Sequence, residues 1–168
     1  MVKTIEWIDG KVRMIDQTLL PREVKYIDCT DYLMVAECIK KLCIRGAPAI
    51  GIAAAMGIAL GAQGLKSGNY DGFMKELDVV FKTLLATRPT AVNIQWAVER
   101  IKKFLEGRKN EPVETLKAML IEESDRVLQE DIEINKSIGR WGAEFIRSGD
   151  TVITHCNAGS LATGGYGT

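Results

Sequence analysis

Residues 48–62 read PAIGIAAAMGIALGA, and this run decides what kind of domain the chain builds. It holds no charge, and Pro48 suits a first helical position, where its missing N–H has no partner to lose. A helix this small and apolar on every side offers no face to water, so it belongs at the centre of a helical layer. Its Ala and Gly residues let neighbouring backbones approach closely. The apolar stretch 47–62 is slightly short for a membrane span and reads as a buried helix.

The flanking sequence supplies the layers around it. TIEWIDGKVRMID (4–16) alternates about Asp9-Gly10, the signature of a tight hairpin, and EVKYIDC (23–29) reads as a third strand of a small antiparallel sheet. Thr30 reads as the cap of a helix carrying Tyr32, Val35, Ala36, Ile39, Leu42 and Cys43 at helical spacing. Beyond the KSGNYDG break, Phe73, Leu77, Val80, Phe81, Leu84 and Leu85 mark an amphipathic helix. A further helix follows Pro89 with Val92, Trp96, Ile101 and Phe104. Residues 112–146 hold a long amphipathic pattern through Leu116, Leu120, Val127, Ile134, Ile138, Trp141 and Phe145, either one helix or two joined near Gly139. GDTVITHC (149–156) reads as a buried strand followed by a small-residue turn, the way a parallel α/β domain opens. The expected division is a sheet-plus-helix domain over 1–148 and the start of a second, Rossmann-like domain over 149–168.

Composition narrows the function. The chain has 168 residues, 46% of them hydrophobic and 26% charged, enough for a core. Lys plus Arg and Asp plus Glu number 22 each, so no global field attracts nucleic acid or a membrane surface. Cys29, Cys38, Cys43 and Cys156 form no CxxC pair and have a single histidine beside them, which argues against a structural zinc site. MVKTIEWIDG carries charges where a secretory signal is apolar. Free thiols in a reducing cytoplasm are therefore expected.

Three segments could carry chemistry. In CIRGAPAIG (43–51), Arg45 stands before a helix whose first N–H groups, at Gly46 and Ala47, point outward, an arrangement that suits phosphate or a plain helix turn with a surface arginine. In TRPTAVN (87–93), Arg88 precedes proline and another helix, as a second phosphate ligand or a solvated loop residue; Asn93 is polar on a core-facing helix. Cys156 lies at the C-terminal end of the expected strand, where α/β ligand sites gather, although a free cysteine is commonly just a small buried hydrophobe. His155 and Cys156 would point to opposite faces of a strand and so make no nucleophile–base pair. His155 reads as structural.

Together IRGAPAIGIAAA, RPTAVNIQWA and THCNAGSLATGGYGT, with TIEWIDGKVRMIDQTLLP before them, closely resemble the methylthioribose-1-phosphate isomerases of methionine salvage, over essentially the whole chain. The resemblance implies an N-terminal sheet-and-helix domain before a Rossmann-like one, with the active site between them. It implies aldose–ketose isomerisation without metal or organic cofactor, in a cytoplasmic homodimer. It places Arg45, Gly46, Ala47 and Arg88 on the substrate and makes Cys156 catalytic. The family's catalytic aspartate, a substrate-binding glutamine and an Asn-Lys pair have no counterpart up to Thr168, so the chain is expected to be an N-terminal portion, inactive alone. Ribose-1,5-bisphosphate isomerases and regulatory subunits of the translation-initiation exchange factor share the superfamily and are the alternatives. RGAPA together with Cys156 favours an enzyme over a regulatory subunit. An unrelated cysteine enzyme is disfavoured by the lack of a second histidine.

Overall fold

The computed structural model describes residues 2–167; Met1, and Thr168 at the end of the segment expected to open a second domain, lie outside them. Strands β1 (Ile5–Ile8), β2 (Lys11–Ile15) and β3 (Tyr26–Cys29) form one antiparallel sheet in that order. Asp9 and Gly10 both take positive φ, 50° and 71°, which gives the two-residue turn whose twist matches the strands. The register sets Ile5 opposite Met14 and Val12 opposite Cys29, all buried, so one face of the sheet packs inward.

Five helices follow: α1 (Tyr32–Lys40), α2 (Ala47–Gln63), α3 (Tyr70–Leu85), α4 (Val92–Glu106) and α5 (Val113–Ala143). Every residue of α2 from position 49 to 62 is buried, and α2 meets all four other helices and the sheet. Close approach is the reason for its small side chains. A Cβ on Gly61 would lie 2.8 Å from Val80 Cγ1 of α3. Phe73, Leu77, Val80, Phe81 and Leu84 of α3 pack there as the periodicity predicts. Each such side chain contributes about 1.5–3 kcal/mol by leaving water.

Several expectations are corrected. The cap of α1 is Asp31, whose side chain accepts from Met34 N at 2.9 Å, while the Thr30 hydroxyl faces Met34 Sδ. Its charge also suits the positive helix end. Helix α2 starts one residue before Pro48, because Gly46 at φ 104° supplies the turn. On α4 the buried stripe is Ile94, Ala97, Val98, Ile101 and Leu105; Val92 and Trp96 are exposed, Trp96 lying beside the Arg100 guanidinium. The long pattern is one helix, continuous through Gly139. At 1.5 Å per residue, α5 spans about 46 Å, more than the width of a small domain. Its first half is buried through Leu116, Leu120 and Val127, while Ile134, Ile138, Trp141 and Phe145 of the expected stripe are exposed.

The largest correction concerns GDTVITHC. Residues 151–155 form no strand, and Val152 and Ile153 are 60% and 91% exposed rather than buried. A strand exists only as a ladder with a neighbour, and the one sheet among the described residues is complete at β1-β2-β3. The expected boundary falls in a turn where Asp150 N donates to Arg147 O and Arg147 N donates back to the Asp150 carboxylate.

Candidate functional site

Two helix N-termini converge on one cavity. Neither Gly46 before α2 nor Ala91 before α4 offers a side-chain cap, so the first N–H groups of both helices lack side-chain acceptors. The cavity measures about 620 Å³ and is lined by Arg45, Gly46 and Ala47 from the first helix mouth and by Arg88, Thr90 and Asn93 from the second. Two helix dipoles and two guanidinium groups thus face the same space, and all four favour an anion. Among the described residues, neither Arg45 nor Arg88 pairs with a carboxylate. Structural arginines here behave otherwise: Arg100 bonds Glu123 at 2.7 Å and also Glu130, and those hydrogen bonds hold its pKa above the usual range.

Cys156 and Asn157 complete the rim. Cys156 is exposed and sits at φ 63°, a left-handed conformation that costs an ordinary residue about 1–3 kcal/mol and persists where surroundings enforce it. The surroundings are an arm, residues 157–167, wrapped over the domain and containing a short 3-10 turn at Ser160–Ala162. Thr4 Oγ1 donates to Ser160 O at 2.7 Å, and Gly164 N donates to Asp131 Oδ2 at 2.6 Å. Burial raises the Asp131 carboxyl, partly offset by that amide. Asn157 Nδ2 reaches Arg45 O at 3.4 Å.

Gly46 is where arm and helix meet. Its φ of 104° already favours glycine, and a Cβ there would lie 2.5 Å from both Cα and O of Ala162. No other residue type fits without moving the arm.

The other three cysteines stand apart from this rim. Cys29, Cys38 and Cys43 are buried and unbridged, with Cys29 Sγ 3.8 Å from Cys38 Sγ. Its hydrogen bond to Cys29, then burial, raises the Cys38 thiol; burial pushes Cys43 up to about 12. Both stay protonated and inert at neutral pH.

All five residues singled out from sequence, Arg45, Gly46, Ala47, Arg88 and Cys156, therefore line one cavity, and Asn93 joins them. His155, expected to be structural, is exposed. Thr4, Gln17 and Asp131, which hold the arm, carry no signal in the sequence; Thr4 and Gln17 are buried and Asp131 half-buried, each bonded to the arm. A second cavity of about 320 Å³ adjoins the first through Val92 and Asn93 and is lined by Pro48, Ile52, Trp96 and Ile134 together with Glu130 and Asp131. Among the described residues no cluster of three or more His, Cys, Asp or Glu could hold a metal ion, and no helix is long and apolar enough to cross a membrane.

Residues 43–164 match the initiation factor 2 subunit family. The methylthioribose-1-phosphate isomerase of Geobacter sulfurreducens is 52% identical over 166 residues, 99% of this chain and 48% of its own length. That of Desulforamulus reducens is 44% identical with the same coverage. The crystal structure of 5-methylthioribose 1-phosphate isomerase from Pyrococcus horikoshii superposes with a TM-score of 0.91 at 42% identity, over 100% of this chain and 47% of that one. Translation initiation factor eIF-2B, subunit delta, from A. fulgidus superposes with a TM-score of 0.85 at 40% identity, over 99% and 48%. The chain spans about half the length of the curated relatives it matches.

Proposed function

The chain belongs to the initiation factor 2 subunit family, and on that premise we propose that it supplies the phosphate-binding half and the thiol of an aldose–ketose isomerase acting on 5-methylthioribose 1-phosphate. The observation that carries the reading is the convergence of Arg45, Arg88, two uncapped helix N-termini and Cys156 on one cavity. A partner-binding subunit has no use for an exposed thiol beside two arginines that pair with no carboxylate among the described residues.

The chemistry fits that arrangement. The substrate's phosphate is on the anomeric carbon, so the sugar cannot open to a free aldehyde. Isomerisation breaks the bond between C1 and the ring oxygen, moves the C2 hydrogen to C1, and leaves a ketone at C2 with the phosphate still on O1. The proton lost from the C2 hydroxyl is balanced by the one gained at the ring oxygen. Arg45, Arg88 and the amides of Gly46 and Ala47 clamp the phosphate and offset its charge through these steps. Cys156, at the rim, takes part in the hydrogen transfer, and a carboxylic acid from outside residues 1–168 completes the acid–base pair. No metal or organic cofactor enters the scheme. The adjoining cavity, lined mainly by apolar side chains and by the carboxylates of Glu130 and Asp131, with no arginine or lysine among its lining residues, supports a methylthio substrate over one with a second phosphate.

The same reading takes residue 149 as the start of a Rossmann-like domain, and the working protein as a cytoplasmic homodimer. Three buried, unbridged thiols support a reducing compartment, and balanced charge supports a small-molecule substrate over nucleic acid. The test is a kinetic split in the protein that contains these residues. Arg45→Ala and Arg88→Ala raise KM at least about tenfold each, the loss of a charge-assisted contact. Cys156→Ala lowers kcat instead. Unchanged turnover in Cys156→Ala refutes its role.

A further inference from the structure

Two separate segments build the cavity: the loop that carries Arg45 and Gly46, and the arm that carries Cys156. Gln17, just beyond β2, touches both. Its backbone N–H donates to Cys43 O at 2.9 Å, two residues before Arg45. Its carboxamide Nε2 donates to Leu161 O at 2.7 Å, one residue before the alanine that packs on Gly46. Gln17 is 9% exposed, so its bond to Leu161 O is largely sheltered from competing water. The residue itself is held firmly. Ile15 N donates to Thr4 O, Asp16 N donates to Lys25 O, and the Asp16 carboxylate accepts from Thr18 N and Oγ1. Thr4 ties the arm to the sheet, and Asp131 ties it to α5, but neither reaches the arginine loop. Asn157 does reach it, through an exposed contact at 3.4 Å.

We propose that Gln17 is a positioning residue: it fixes the distance between the anion-binding loop and the Cys156 arm, so that an anion held by Arg45 and Arg88 lies against the thiol. This rests on the cavity binding phosphate, as argued above. Because Gln17 stands in the turn that leaves β2, two residues past Ile15, the small sheet acts as the gauge between the two halves of the site.

The experiment uses the exposed Cys156 thiol as reporter and inorganic phosphate as probe. The parent protein is alkylated with iodoacetamide across a phosphate series, and modification of Cys156 is followed by peptide mass. Phosphate protects Cys156 in the parent. In Gln17→Met, which keeps the length and loses the donor, the half-protecting phosphate concentration rises at least about tenfold. Gln17→Glu, isosteric but without the donor when ionised, behaves alike and serves if the Met variant fails to fold. A merely structural Gln17 lowers the melting temperature and leaves the half-protecting concentration alone. Equal protection in the parent and a folded variant overturns the proposal. No protection in the parent overturns the phosphate site and this inference with it.

Discussion

Gly46→Ala tests the contact on which the site's geometry depends. The backbone at φ 104° and ψ 134° is one that only glycine adopts freely, and imposing it on alanine costs about 1–3 kcal/mol. The new Cβ would stand 2.5 Å from Cα and O of Ala162, so backbone and not a flexible side-chain tip must yield. Overpacking of this kind costs about 1–3 kcal/mol more. The two terms sum to about 2–6 kcal/mol, or a fall of at least about 4 °C in Tm for a chain of this size. The protein has one escape: to release the arm, which limits the loss to the free energy of docking it. In that case the fall in Tm is smaller, but Cys156 leaves the cavity. The assay therefore pairs calorimetry with iodoacetamide labelling of Cys156 in the presence and absence of inorganic phosphate. Gly68→Ala, with nothing within 4 Å of the added carbon, is the control and leaves both readings unchanged. A Gly46→Ala protein with parental Tm and parental phosphate protection would refute the reasoning.

Further outcomes follow from the thiols and the long helix. In the native protein at pH 8, a thiol reagent modifies Cys156 and spares Cys29, Cys38 and Cys43, whereas all four react in denaturant; prompt labelling of Cys43 contradicts its burial. The Cys43 pKa is raised from 9.0 to about 12, so the folded state holds that proton more tightly than the unfolded one. Its contribution is full below pH 9 and is lost as pH rises through 12, so the urea midpoint declines above pH 9 and Cys43→Ala flattens that decline. Gly142→Ala, in the last turn of α5 with nothing within 4 Å of the added carbon, gains part of the about 1 kcal/mol that separates Gly from Ala in a helix interior, read as a slightly higher Tm.

The parts legible in sequence were those whose causes are local. Asp9-Gly10 dictates its own turn, and the RGAPA and RPTAVN segments each place an arginine at a helix start within a few residues. The smallness of α2 declares a central helix because no other position tolerates it. What could not be read depends on distant partners. GDTVITHC has the composition of a buried strand, but no neighbour among the described residues pairs with it, and Ile153 is 91% exposed. The phase of α4 is ambiguous in sequence because Trp96, which lies beside Arg100, has the same spacing from Val92 as a core position. Gln17 gave no signal, since its carboxamide is spent on a carbonyl 144 residues away. Half of α5 looks like core and is not, because a pattern does not reveal where the domain beneath a helix ends.

The most direct test of the account follows 5-methylthioribose 1-phosphate by NMR with the protein that contains these 168 residues, beside its Cys156→Ala variant. The account predicts a C2 ketone with phosphate retained on C1, formed by the parent and lost or greatly slowed in the variant. A folded, full-length parent that leaves the substrate unchanged while its phosphate site is occupied contradicts it, and moves the cavity to a bisphosphate sugar or to a regulatory role.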